Sequence, residues 1–445
     1  MRALLALSVA ASLAAFGVAQ AEPEPVGQRI RQAVAAVDPA KIEQTIRGLT
    51  AFGTRHVLSR TDDAKQGTGA ARRWLKKEYE SLVEASGGRL QVAFQSAKVQ
   101  VRRRGMPREV EVVNVIATLP GVSDPDRVYV ISGHYDSRNS TGADGEGLAP
   151  GANDDASGTA VALEACRVLC AQRFAATLVF CAYDGEEQGL LGSAAHAAEL
   201  AAGDAQVDGM ITCDIVGNTL GMDGKRYRDY VRCFSYAPSG NDSSGRSLAR
   251  VMSYAARTYV PELAVKLIFR GDRYGRGGDH RSFFNEGFPA VRMTEPREDY
   301  SRQHQDITER DGKPYGDLAD FVDFAYTANV TRIVVAAVGE LASAPRLPLV
   351  RRVRGARDAY DILVDFQVAD GVEDFEFVWR ETTAPDWQGV VAKEDAQIQN
   401  ATRAGRLQAT LEGLCIDDVV VGVRSIGADG ARSRVATPPE PDRML

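Results

Sequence analysis

Between residues 128 and 214 the sequence alternates short, almost continuously apolar runs with longer segments of helical periodicity. The predicted order is strand, helix, strand, helix, strand, at residues 128–132, 156–171, 177–183, 190–201 and 209–214. Strands that are apolar throughout are typical of parallel strands buried on both faces, and helices between them supply the covering layers. The pattern therefore predicts an α/β fold, with a mixed, mostly parallel sheet covered by helices on both faces.

Side chains that bind metal ions follow the carboxyl ends of these strands or precede a helix. They are His134, Asp136, Asp154, Glu186, Glu187 and Asp214. A further histidine, His304, follows a later predicted strand at residues 290–293. In open α/β sheets the carboxyl ends of the strands form the ligand-binding edge. We therefore expect residues far apart in sequence to meet at one edge of the sheet.

Peptide hydrolysis requires a polarised carbonyl, an activated water and a proton carrier, and two metal ions about 3.5–4 Å apart supply the first two. Zinc accepts both imidazole and carboxylate ligands and keeps an open position in catalytic sites. Two zinc ions per chain that share one carboxylate need five protein ligands. The predicted ligands are His134, Asp154, Glu187, Asp214 and His304.

Two further carboxylates receive catalytic roles in this prediction. Adjacent side chains point in different directions, so Glu187 can bind a metal ion while Glu186 faces the water as general base. Asp136 is suited to accept the second N–H of the His134 imidazole and so to fix its tautomer.

Each of these motifs also has a structural interpretation when it is taken alone. Asp154 and Asp155 could cap the helix that follows them, and the two adjacent glutamates could be a solvated surface pair. Their occurrence together, each at a strand end or a helix start, favours a site. His196, in an alanine-rich helix, is predicted to lie at the surface.

At these residues the sequence resembles the co-catalytic zinc aminopeptidase family of the bacterial leucyl aminopeptidase type, with aminopeptidase Y, glutamate carboxypeptidase and glutaminyl cyclase among its relatives. The matching motifs are the H-x-D at 134–136, the N-D-x-x-S-G at 153–158, the E-E at 186–187, the strand-end Asp214 and the late His304.

The resemblance implies one zinc ion held by His134, Asp154 and Asp214, and a second held by Asp154, Glu187 and His304. It also implies a cis peptide bond after Asp154. The family's D-H-x-x-F motif is similar to residues 279–283, although Gly278 stands where the family has a serine.

With 445 residues the chain is long enough for two or three domains. Residues 1–21 combine a positive start, a short apolar run and an Ala-Gln-Ala exit, which predicts a signal peptide and an exported protein, periplasmic or extracellular. Residues 22–343 would form the peptidase domain. Residues 344–445 show short alternating strands, which predict a small fibronectin-III-like β-sandwich.

The net charge of −7 gives no reason to expect a nucleic-acid partner, and no later apolar run reaches the roughly 20 residues of a membrane span. The expected partners are peptide substrates, while the oligomeric state stays open. Six scattered cysteines do not form a recognisable disulfide pattern.

The leading hypothesis is a secreted metal-dependent aminopeptidase in which Glu186 is the general base for a water activated by two zinc ions. A carboxypeptidase or dipeptidase is a second possibility, because arginines at 270, 273, 276 or 302 could bind a substrate carboxylate. A third is a metal-stabilised binding ectodomain without activity.

Overall fold

The computed structural model describes residues 24–101, 105–236, 242–356, 360–400 and 405–438. The predicted signal peptide at residues 1–21 lies outside the described residues. The helices are α1 Val26–Ala35, α2 Pro39–Thr50, α3 Gly67–Glu80, α4 Ala156–Leu169, α5 Leu191–Ala202, α6 Ser244–Tyr259, α7 His280–Asn285 and α8 Phe324–Ser343.

The described strands of the first 343 residues fall into two sheets. They are β1 Gln91–Gln100, β2 Glu109–Leu119, β3 Asp124–His134, β4 Ala176–Tyr183, β5 Gln206–Cys213, β6 Tyr230–Ser235, β7 Ala264–Ile268, β8 Ala290–Thr294, β9 Thr308–Arg310 and β10 Lys313–Tyr315. The strands β9 and β10 form a small hairpin of their own.

The other strands form an eight-stranded sheet in the order β1-β2-β4-β3-β5-β8-β6-β7. Its four central strands, β4, β3, β5 and β8, run parallel to one another. The hairpin β1–β2 adds antiparallel strands at one edge, and β6 joins β8 in antiparallel fashion at the other side. The predicted mixed, mostly parallel sheet is therefore confirmed.

Helices α4 and α8 pack against each other and form, with the sheet, the main hydrophobic core. The helices α1 and α2 pack onto the same core: Ile30, Ile42 and Leu49 are at most 1% exposed. The sequence also predicts a long helix at about residues 316–342. This helix, α8, begins only at Phe324, because the Asp323 side chain accepts the backbone N–H of Tyr326 and caps the helix there.

Apolar residues at helical spacing predict an amphipathic helix at about residues 62–85, but α3 is shorter and spans only Gly67–Glu80. The Asp63 side chain accepts the backbone N–H groups of Lys65 and Gln66, and this local turn competes with helix formation. The prediction for His196 was wrong: the side chain is 5% exposed and its Nδ1 lies 2.9 Å from the Tyr183 hydroxyl. The imidazole packs against the rings of Tyr183 and Phe283, with centroid distances of 5.8 and 6.0 Å, and this aromatic contact buries it.

The C-terminal part consists of two antiparallel sheets. They contain β11 Leu349–Gly355, β12 Asp361–Gln367, β13 Asp374–Glu381, β14 Gly389–Ala392, β15 Gln397–Asn400, β16 Leu407–Glu412 and β17 Val419–Ile426. The sheet β11-β12-β16-β15 shares one core with the sheet β14-β13-β17, where Phe366, Phe375 and Phe377 meet edge to face. The sequence pattern predicts strands at residues 360–368, 375–381, 408–411 and 419–426, which correspond to β12, β13, β16 and β17. The strands β11, β14 and β15 were not predicted.

None of the described helices is long and apolar enough to cross a membrane. All six cysteines lie in the described part of the chain, and each is a free thiol.

Candidate metal centre and active site

The predicted ligands come from three adjacent parallel strands and from two loops. His134 is the last residue of β3, Glu186 and Glu187 follow β4, and Asp214 follows β5. Because β4, β3 and β5 are parallel neighbours, their carboxyl ends lie at one edge of the sheet. Asp154 stands two residues before α4, and His304 lies in the loop after β8.

The five ligand candidates form two groups that share Asp154. The first contains His134, Asp154 and Asp214, the second contains Asp154, Glu187 and His304, and within each group the ligand atoms lie within 4.8 Å of one another. Asp154 Oδ1 is 3.2 Å from His134 Nε2, and Asp154 Oδ2 is 2.9 Å from His304 Nε2. The carboxylate thus presents one oxygen to each histidine, as a bridging ligand does.

The donor set fits zinc. Catalytic zinc ions take three protein ligands from imidazole and carboxylate groups, and each group here supplies three. Both His134 Nε2 and His304 Nε2 are buried, and neither makes a hydrogen bond to any described residue although carboxylate oxygens lie beside it. Burial lowers the pKa of His304, but Glu187 and Asp154 outweigh it and raise this pKa to about 10. The carboxylates around His304 therefore favour a positive charge, such as a metal ion, at this position.

Asp136 contacts both the first histidine and the glutamate pair. Its Oδ1 and its backbone carbonyl each lie 3.2 Å from His134 Nδ1, so it can accept the N–H of the imidazole. The two carboxylate oxygens also accept the backbone N–H groups of Glu186 and Glu187, at 3.1 and 3.2 Å. Asp136 therefore positions residues from two different strands.

Glu186 lies beside the ligands without belonging to either group. Its Oε2 is 3.9 Å from His134 Nε2, and the side chain lines the same cleft as the ligands Asp154, Glu187 and Asp214. Burial raises the pKa of its carboxyl well above the ordinary value, which strengthens it as a proton acceptor.

Asp155 joins the three segments that carry ligands. Its carboxylate accepts the backbone N–H groups of His134 at 3.0 Å, Gly158 at 2.8 Å and Ile215 at 3.3 Å. The peptide bond between Asp154 and Asp155 is cis, as the resemblance implied.

Sequence reasoning missed two supporting residues. Arg55 is fully buried. Its guanidinium donates to the backbone carbonyl of Tyr135, the residue after His134, and to that of Gly151, three residues before Asp154. Asp317 accepts the backbone N–H groups of Asn153 and Asp154, at 2.8 and 2.7 Å. Neither residue lies in a motif or at a diagnostic spacing, and only the three-dimensional structure relates them to Asp154.

The glycine-rich loop at residues 270–279 forms one wall of the cleft, whose volume is about 480 Å³. Arg273 and Arg276 line this wall, and Arg138 lines the cleft from the loop after β3. Arg138 donates to Glu187 Oε2 and lies 2.7 Å from His304 Nδ1. The Tyr274 side chain is 91% exposed and does not line the cleft.

Arg292 occupies the space that a side chain at position 278 would need. A Cβ atom on Gly278 would lie 2.9 Å from Arg292 Nη1 and 3.3 Å from Asp214 Oδ2. The Arg292 guanidinium pairs with Asp214 at 2.9 Å and with Asp272 at 3.0 Å. His280 contacts the backbone carbonyl of Gly271 at 2.7 Å, so it supports the loop.

Comparison with known proteins places this arrangement in context. Residues 114–323 match Peptidase family M28. The chain is 37% identical over 441 residues to a probable zinc metalloprotease of Leptosphaeria maculans, and the alignment covers 95% of this chain and 99% of that relative.

Two solved structures share the fold. The LapA aminopeptidase of Legionella pneumophila has a TM-score of 0.53 and 18% identity, with 74% of this chain and 78% of that chain covered. The glutaminyl cyclase of Macrostomum lignano has a TM-score of 0.54 and 16% identity, with 74% and 97% covered. One fold therefore carries both activities, and the choice between them rests on the site.

Proposed function

Because the chain belongs to peptidase family M28 and is a zinc metallopeptidase, we propose that it acts as an aminopeptidase that removes N-terminal residues from peptides. The observation that carries the proposal is the pair of three-residue ligand groups sharing Asp154, with Glu186 beside them in the cleft.

In this proposal the five ligands would hold two zinc ions. His134, Asp154 and Asp214 would hold one, while Asp154, Glu187 and His304 would hold the other. Zinc, when bound, polarises the scissile carbonyl and lowers the pKa of water. Asp136 keeps the His134 imidazole in the tautomer whose Nε2 faces Asp154.

Glu186 moves the proton. Its carboxylate accepts a proton from the attacking water as the water oxygen forms a bond to the scissile carbon. The protonated Glu186 then donates this proton to the nitrogen of the leaving amine as the C–N bond breaks. A carboxyl with a raised pKa suits both steps, because it holds the proton between them.

One observation favours a second candidate. Arg138, Arg273 and Arg276 line the cleft, and arginine is the preferred partner of carboxylates. A carboxypeptidase or a dipeptidase would use such a residue to bind the C-terminal carboxylate of its substrate. The charge of Arg273 is engaged by Asp272 and Glu298, at 3.1 and 2.7 Å, and that of Arg138 by Glu187 at 2.9 Å. Arg276, whose nearest carboxylate is 3.9 Å away, is therefore the strongest candidate.

We also propose that the protein is exported after removal of residues 1–21, which rests on the sequence alone. N-terminal sequencing of the mature protein, recovered from the cell envelope and from the medium, tests it. A mature chain that begins at Met1 would contradict the proposal.

The main experiment compares aminoacyl-nitroanilides with a free or an acetylated amino end, together with peptides carrying a free or an amidated carboxyl end. The proposal expects cleavage that requires the free amino end and stops after chelation. Glu186→Gln should lower kcat by about 10²–10⁴-fold while retaining two zinc ions per chain by elemental analysis. Glu84→Gln, at an exposed glutamate, serves as the matched control.

Two results would contradict the aminopeptidase proposal. Cleavage that requires the free carboxyl end would support the second candidate. Normal activity of Glu186→Gln would exclude its role as the base.

A further inference from the structure

A second cleft opens where α6 and α8 face the C-terminal sheets. Its volume is about 170 Å³, and its walls include Arg250 and Tyr254 from α6, Glu340 from α8, and Trp387 and Arg432 from the C-terminal part. It shares no lining residue with the cleft of the metal centre. Nothing in the proposed reaction uses it.

Two buried polar groups of opposite character line this second cleft. Glu340 is 3% exposed and Arg250 is 2% exposed. Within the described ranges, neither Glu340 Oε2 nor Arg250 Nη2 has a hydrogen-bond partner. A buried polar group without a partner costs about 1–3 kcal/mol, and more when it is charged. A ligand that donates to Glu340 and accepts from Arg250 would remove both costs.

The surrounding side chains define the rest of the ligand. Arg424 and Arg432 share the single carboxylate of Glu376, at 2.5 and 3.2 Å. Arg250 and Arg257, which also line the cleft, pair with Asp242 and Asp386, at 2.7 and 2.6 Å. With Glu340 the charges around the cleft balance, which suits a ligand that carries one positive and one negative group. The Arg250 guanidinium lies 5.4 Å from the ring centroid of Trp387, and this ring offers an apolar wall. The ligand therefore combines a cationic donor, an anionic acceptor and an apolar portion.

The volume of the second cleft limits the size of the ligand. A cavity of about 150 Å³ holds one benzene molecule, so a cleft of about 170 Å³ accommodates a molecule of comparable size. The cleft is open to solvent, so a ligand somewhat larger than benzene is accommodated as well. An inorganic anion would leave Glu340 without a donor.

We propose that this cleft binds a free α-amino acid with an apolar side chain, its carboxylate at Arg250, its ammonium group at Glu340 and its side chain against Trp387. Binding does not depend on the proposed activity. If the proposed aminopeptidase function holds, the ligand is a product of the reaction, and the cleft is a product-binding site that does not compete with substrate.

Calorimetric titration of the zinc-loaded protein with L-leucine tests the proposal. Isovalerate carries only the carboxylate, isoamylamine carries only the amine, and inorganic phosphate tests for a general anion site. We expect leucine to bind with a Kd about tenfold or more below that of either fragment, because two charge-assisted hydrogen bonds form together. A chelated sample should retain this binding event, since the metal ligands line a different cleft.

Two variants localise the binding. Glu340→Gln, a neutral side chain of the same shape, should weaken leucine about tenfold or more and leave isovalerate unchanged. Arg250→Met should weaken both. Arg250 also pairs with the buried Asp242 at 2.7 Å and donates to the backbone carbonyl of Pro385 at 2.9 Å. The unfolding midpoint of Arg250→Met is therefore measured in parallel, and Glu340→Gln decides the test if Arg250→Met unfolds.

Several outcomes would overturn the inference. These are no leucine binding, equal affinity in wild type and Glu340→Gln, tighter binding of phosphate than of leucine, or a single binding event that chelation abolishes. The last result would assign leucine to the metal centre. Absence of peptidase activity with leucine binding intact would contradict the proposed function only, so the two failures are distinguishable.

Discussion

At the scale of single residues, Arg55 shows how a side chain outside the metal centre determines its geometry. Its guanidinium donates to four backbone carbonyls, those of Leu49, Tyr135, Pro150 and Gly151. Tyr135 lies between His134 and Asp136, and Gly151 lies three residues before Asp154. One buried cation therefore fixes two ligand-bearing segments relative to each other.

Arg55→Met should destabilise the protein by about 3–5 kcal/mol, because the carbonyls lose their donor and remain buried. We also expect fewer than two zinc ions per chain, since the Asp154 segment is no longer held. Urea unfolding and elemental analysis measure the two effects. Arg73→Met is the control: Arg73 also donates to two backbone carbonyls, but it is exposed, and its loss should cost less than about 1 kcal/mol. Equal losses in the two variants would contradict this account.

The buried His196 predicts a dependence of stability on pH. Burial lowers its pKa to about 4 in the folded protein, below the ordinary value of 6.5. As the pH falls below 6.5, the unfolded chain binds a proton that the folded protein does not bind, so the free energy of unfolding decreases until about pH 4.

Urea unfolding of wild type and His196→Gln at pH 8 and pH 5 measures this effect. Wild type should lose about 2 kcal/mol more than the variant over this interval. The comparison cancels losses that both proteins share, such as release of metal at low pH. Parallel losses in the two proteins would show that His196 does not contribute.

At the scale of the elements, the ligands meet because α4 approaches the sheet very closely. A Cβ atom on Gly158 would lie 1.8 Å from the backbone oxygen of Cys213, and one on Gly133 would lie 2.3 Å from the backbone of Gly158. Only glycines allow β3, α4 and β5 to approach to this distance. The position of Asp154 relative to Asp214 depends on this contact.

Gly158→Ala should therefore push α4 away from β5 and separate Asp154 from Asp214. We expect a loss of about 1–3 kcal/mol from overpacking and a reduced zinc content by elemental analysis. Gly203→Ala, at the end of α5, is the matched control, because the nearest atom to its new Cβ would be 3.6 Å away. Full zinc content in Gly158→Ala would show that the close approach is not required for the ligand geometry.

The sequence predicts best those strands that are buried on both faces of the sheet, because such strands form almost continuous apolar runs. Strand β4 and the carboxyl-terminal halves of β3 and β5 are almost continuously buried, so the presence of these strands, and the edge where His134 and Asp214 lie, could be inferred. The strands β11, β14 and β15 were missed because few of their side chains are buried; in β11 only Val350 is. The support from Arg55 and Asp317 could not be predicted, since it depends on contacts between distant segments.

At the scale of the whole molecule, the N-terminal helices connect the two parts of the chain. Helix α1 packs against α8, and its first residue, Val26, donates its backbone N–H to the carbonyl of Asp429 at 2.9 Å. Arg29 pairs with the carboxylate of the same Asp429 at 2.5 Å. Residues 26–50 thus contact both the core of the peptidase part and the turn that follows β17 in the C-terminal part.

Removal of residues 24–50 should therefore prevent folding rather than release an active enzyme from a pro-segment. Ile30, Ile42, Ile46 and Leu49 are at most 1% exposed, and burial of each contributes about 1.5–3 kcal/mol. Their sum, about 6–12 kcal/mol, is comparable with the whole stability of a typical domain. Limited proteolysis and circular dichroism of the truncated chain, beside the chain that begins at residue 24, measure the effect. A truncated chain that stays folded and binds two zinc ions would contradict it and would show that α1 and α2 form a removable segment.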